Sequence, residues 1–148
     1  AQRTACLSVH LRSASGEGTT TVPVQIDHAI TGAGDKQAAA AFFARVFGLP
    51  EPTYWGPFAT VLPGDGAHLH FAELPGVPYI QRQHDAFRVG EARFDEICGR
   101  VRTLEVEHWA DPRMSLPGQI NTDHGGRGVY FLDATGHFLE VLTRSEVV

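Results

Sequence analysis

The sequence predicts an α+β fold: two βαβββ modules in one domain, forming curved mixed, mainly antiparallel sheets around a central cavity. Three observations carry this reading. Strand-patterned and helix-patterned segments run through one order and then repeat it. Histidine recurs at the repeat spacing, His28 and His84 standing 56 positions apart. The length of 148 residues, 43% of them hydrophobic, suits one domain, since domains run roughly 100–200 residues and this size buries about two-thirds of its unfolded surface. Each half holds a single helix, which can cover only one face of its sheet. The opposite faces are left to line a concavity, the usual place for a small-molecule site.

Residues 1–21 stand apart. Ala5, Leu7, Val9 and Leu11 alternate with Cys6, Ser8, His10 and Arg12 in the period-2 pattern of a strand, and 13–21 has the Ser/Gly/Thr composition of a linker. This segment reads as an added edge strand or dimer-crossing arm, or as an extension outside the fold. The domain then occupies 22–148, with module one at 22–76 and module two at 82–144.

In module one, 24–31 is patterned as a strand and Gly32–Gly34 breaks it. Asp35 is placed to cap a helix through Phe47, with Gly48 as its stop and Phe42, Phe43, Val46 and Phe47 on its buried face. Two strands, 55–62 and 67–73, flank the hairpin signal Pro63-Gly64-Asp65-Gly66. Module two restarts with a strand over 83–89 and a helix over 91–102, whose Phe94, Ile97, Cys98 and Val101 follow helical spacing. A short strand at 106–110 leads into a long polar loop through Gly126. Strands 128–132 and 137–143 close the module around Asp133-Ala134-Thr135-Gly136.

Composition narrows the function. Net charge is −5 and Lys36 is the single lysine, so the basic footprint of a nucleic-acid binder is missing. No window approaches the ~18 consecutive apolar residues of a membrane span. Cys6 and Cys98 form no disulfide framework, consistent with two thiols in a reducing cytoplasm. Eight histidines beside one lysine point to metal or acid–base chemistry. His28 and His84 lie in the first strands of their modules, and His70 and Glu140 in the last strands. Imidazole and carboxylate together suit Fe, Mn, Zn, Ni or Co.

The two-module pattern, with Gly128-Val129-Tyr130-Phe131-Leu132-Asp133 followed by Gly136-His137-Phe138-Leu139-Glu140-Val141, resembles the vicinal oxygen chelate superfamily. That superfamily includes glyoxalase I, fosfomycin-resistance transferases, extradiol dioxygenases and bleomycin-binding proteins. The resemblance spans 24–144, and Ala134 stands where these hairpins usually carry proline. It implies that His28, His84 and Glu140 hold a divalent metal ion. His70 falls at a fourth ligand position that is usually glutamate, so metal binding and substrate contact both remain open for it.

Around these residues, His124 and Tyr130 are candidates for moving a proton. Trp55, Phe58, His68 and Arg127 are candidates for contacting a small-molecule substrate. Each is weighed against an ordinary packing, rim or loop role. The distance from His84 to Glu140 exceeds that from His28 to His70 by 14 positions, and the loop before Gly128 holds most of the excess. Loops of that length in compact domains often bind or cover ligands. The expected activity is bidentate chelation of an oxygen-bearing substrate by a homodimeric metalloenzyme, with dioxygenase-like ring cleavage preferred over lyase or isomerase chemistry. The alternative is a metal-free protein that sequesters a drug or metabolite.

Overall fold

The computed structural model describes residues 24–77 and 79–145. The strand pattern at 5–11, the linker-like segment and Cys6 lie outside the described residues. Module one comprises β1 (His28–Gly32), α1 (Lys36–Phe47), β2 (Thr53–Trp55), β3 (Phe58–Gly64) and β4 (Ala67–Ala72). Module two repeats the order with β5 (His84–Arg88), α2 (Glu91–Thr103), β6 (His108–Trp109), β7 (Gly128–Leu132) and β8 (Phe138–Leu142). Each forms a four-stranded sheet, β1-β4-β3-β2 and β5-β8-β7-β6, in which only the outermost first strand runs parallel to its neighbour.

Local chemistry sets the boundaries. Asp35 accepts hydrogen bonds from the amides of Gln37 and Ala38 at 3.0 and 2.9 Å, satisfying donors at the start of α1. Gly48 ends α1 in the left-handed region at φ 62, and a Cβ there would come within 2.5 Å of the Arg100 guanidinium. The strand expected over 55–62 is two strands. Gly56, at φ 52, turns the chain between them, a conformation that favours glycine. The hairpin tip is narrower than expected because β3 continues through Pro63 and Gly64, with Gly64, Asp65 and Gly66 all at positive φ. The first strand begins only at His28.

Alternation assigns the sheet faces. In module one Thr31, Ala59, Val61, Leu69 and Phe71 turn towards α1; in module two Phe87, Val129, Phe131, Leu139 and Val141 turn towards α2. Both helix-side faces feed one core. Phe43 and Phe47 of α1 meet Phe87 at ring distances of 5.2 and 5.0 Å, and Phe47 reaches Phe131 at 6.3 Å. Arg93 of α2 donates to the carbonyls of Phe47 and Gly48, the first at 2.8 Å, and so caps the end of α1.

A second joint is polar. His137, 1% exposed, accepts from the Gln83 amide through Nδ1 and donates from Nε2 to the Gly32 carbonyl at 2.8 Å. Those partners fix its tautomer. The Asp133 carboxylate accepts from the amides of Thr135, Gly136 and His137, folding the turn that presents it. The Asp-Ala-Thr-Gly-His segment is therefore a hinge pin between modules, and β8 starts one residue after it.

Candidate metal and substrate site

The sheet faces turned away from the helices carry the candidate chemistry, and their registers match. In module one His28 lies beside His68 and Ile30 beside His70; in module two His84 lies beside Phe138 and Ala86 beside Glu140. On the next strand, Thr60 opposes His70 as Tyr130 opposes Glu140. Phe138, Glu140 and Leu142 share this open face, whereas Leu139 and Val141 are buried against the core. Glu140 thus stands on the concave side among apolar neighbours, its side chain 13% exposed.

In module two, His84 Nε2 donates to Glu140 Oε2 at 3.0 Å, and the Tyr130 hydroxyl donates to Glu140 Oε1 at 2.8 Å. Both carboxylate oxygens are engaged, which offsets the cost of withdrawing the charge from water. In module one the rings form an array. His70 lies 5.4 Å from His28, 5.9 Å from a nearly parallel His68 ring and 4.9 Å from Phe58, and Trp55 meets Phe58 edge-on at 5.5 Å. Trp55 is 63% exposed, so this array ends in an apolar ring open to a ligand. His70 shares a 2.7 Å hydrogen bond with Thr60 through Nδ1. Burial, then the neighbouring His28 and His68, holds its pKa below the ordinary histidine value.

Two side chains at the site had escaped the sequence reading. Asp27 accepts from His28 Nδ1 at 2.7 Å, and that hydrogen bond holds the Asp27 carboxyl below its usual range. Its signal was plain adjacency to a candidate ligand. Thr60 had none, because its partnership with His70 exists only through strand register.

The four candidate ligands divide into two pairs. Among the described residues no group of three His, Cys, Asp or Glu side chains is arranged to hold a metal ion. The cause is the shared core: each open face lies on the far side of its sheet from the core that joins the modules. A cavity of about 200 Å³ adjoins Glu140 and Tyr130, lined by module two alone, with His124, Asn121 and Arg144 in its wall. His124 sits in the 3-10 turn Asp123–Gly125 in left-handed geometry, φ 53. Arg127, expected at the substrate, also lines this cavity, with its guanidinium directed to α2. It pairs with Asp95 and Glu91 at 2.6 Å each and lies 4.5 Å over the Phe94 ring. The hydrogen bond to Asp95, reinforced by the bond to Glu91 and opposed by desolvation, leaves its pKa raised.

No family model matches the chain, and no curated protein matches its sequence. Solved structures do. The chain is 46% identical to a protein described as Oxidase ChaP-H1, with a TM-score of 0.77 over 82% of this chain and 97% of that one. It is 45% identical to Oxidase ChaP-H2, also at a TM-score of 0.77, over 84% and 96%. The lactoylglutathione lyase of Agrobacterium tumefaciens shares the fold at 23% identity and a TM-score of 0.62, over 82% of this chain and 94% of that one. No helix among the described residues is long and apolar enough to cross a membrane. Paired βαβββ modules, register-matched polar residues on their open faces and these neighbours together show that the chain belongs to the vicinal oxygen chelate superfamily.

Proposed function

We propose that the chain is a homodimeric, metal-dependent enzyme that oxidises a small oxygen-bearing organic substrate, with dioxygenase-like ring cleavage preferred over glyoxalase-type lyase or isomerase chemistry. The observation that carries this is the His84–Glu140–Tyr130 cluster in a chain 46% identical to a protein described as an oxidase.

The donor set fits a divalent cation. His28, His84 and Glu140 offer two imidazoles and a carboxylate, suited to Fe, Mn, Zn, Ni or Co, and His70 is a fourth donor. Asp27 behind His28 and Tyr130 behind Glu140 are outer partners of the kind that orient ligands. A divalent cation held by these residues would supply Lewis acidity towards substrate oxygen. Asp27 keeps the proton of His28 on Nδ1 and leaves Nε2 to donate its lone pair. Tyr130 fixes one oxygen of Glu140 and turns the other towards His84. Trp55 and Phe58 hold the substrate against the ring array, with His68 beside them. His124 and Tyr130 move protons at the substrate.

Two copies complete the site, module one of one copy facing module two of the other. Exposure supports this: the His28 and His84 side chains are 52% and 48% exposed, and Ile30 adds apolar surface on the same face. Metal analysis of purified protein tests the cofactor, with about one equivalent per chain expected. Content below about a tenth of an equivalent, with no uptake of Fe, Mn, Zn, Ni or Co, overturns the enzyme reading. Co-expressing His28→Ala with Glu140→Ala tests the sharing. Each variant alone loses metal, and random pairing of the two restores about a quarter of the sites. No recovery in mixed dimers places all ligands in one chain.

A further inference from the structure

We propose that the cavity beside Glu140 is an anion-accepting subsite in which the Arg144 guanidinium engages a carboxylate of the substrate. This deepens the reading above and rests on it, because it takes the open face of module two as the place where substrate lies.

Arg144 lines the same cavity as Glu140 and Tyr130, so a group seated against it lies within one small substrate of the candidate metal ligand. Its position is built. A Cβ on Gly126 would lie 2.6 Å from Arg144 Cβ and 3.1 Å from its backbone nitrogen, and one on Gly125 would lie 3.0 Å from Nη1. The two glycines let the His124 turn close against Arg144, whose side chain is exposed at the cavity wall. Arg144 has no carboxylate partner among the described residues. The cavity's other arginine, Arg127, is already committed to Glu91 and Asp95.

Two further carboxylates line the wall. Asp111 accepts from the Ser115 hydroxyl and from the amides of Arg113, Ser115 and Leu116, so its charge is directed into its own loop. Asp123 stands on the exposed rim at the start of the 3-10 turn. Of the two arginines that line this cavity among the described residues, the one left to a ligand is therefore Arg144. A planar guanidinium favours a carboxylate, which it can bind through two parallel hydrogen bonds.

Matched probe pairs test this on the metal-free full-length protein: benzoate against benzamide, and naphthoate against naphthamide, titrated by calorimetry at neutral pH. Wild type is expected to bind the acids about tenfold more tightly than the amides. Arg144→Gln brings the ratio close to one and Arg144→Lys keeps part of it. Arg88→Gln removes a cation from the same face but outside the cavity wall, and is expected to change the ratio less than about twofold. No acid preference in wild type, or a preference that survives Arg144→Gln, overturns the proposal. Metal uptake is measured in parallel. An acid preference without uptake fails the metalloenzyme reading alone, and uptake without the preference fails this one.

Discussion

Strand for strand the two modules share a register, and they fill it with different side chains. Where module two has Glu140 backed by Tyr130, module one has His70 backed by Thr60. Module one surrounds its histidine with rings, and module two surrounds its carboxylate with a long polar loop. The scaffold needs alternation only on the helix side, where Phe71 and Val141 are both buried. The open side is free to diverge, so one half can hold a flat apolar ligand surface and the other an anionic ligand.

Substitutions that treat the halves alike should separate them. Glu140→Ala is expected to weaken metal binding by more than about 100-fold, beyond the 10–100-fold typical of losing an outer partner. His70→Ala should cost about tenfold or less, and equal losses would make the two positions equivalent ligands. His137→Ala should lower stability by about 2–4 kcal/mol in thermal or denaturant unfolding, because it strands a buried carbonyl and an amide at the module joint. Tyr130→Phe should reduce metal affinity about tenfold and Thr60→Val by a few-fold at most. The reverse order would shift the principal site to module one. The smallest effect is a pH dependence. His70 is held below its unfolded value, so the native state prefers the neutral ring. Stability of the metal-free protein should fall as pH drops through about 6.5 and be unaffected by His70 above it. His70→Gln should remove part of that fall.

Much of the scaffold was legible because it follows two periods. The buried residues of α2 are Phe94, Ile97, Cys98 and Val101, as spacing alone predicts. On α1 the alanines Ala39, Ala40 and Ala44 share the buried face, while Phe42 is only partly covered. Small residues carry little hydrophobic signal, so that face was read from its phenylalanines. What the linear pattern missed was long-range. Arg127 finds its partners on α2, 32 and 36 residues away, and a loop arginine beside a glycine pair gives no hint of them. The division of the four ligands depends on which sheet faces share a core, and Phe47 against Phe87 and Phe131 decides that. The turn at Asp133–His137 was read as part of a family signature beside Glu140, yet its polar atoms serve the backbone joint.

The strands carrying His28 and His84 are the outermost strands of their sheets, each bonded on one side only among the described strands. An edge strand leaves half its backbone groups without a ladder partner, so it opens more readily than the strands it flanks. A cation gripping both imidazoles would tie down two edge strands at once. Amide exchange along 28–32 and 84–88 should then report metal occupancy even though the metal touches no backbone atom.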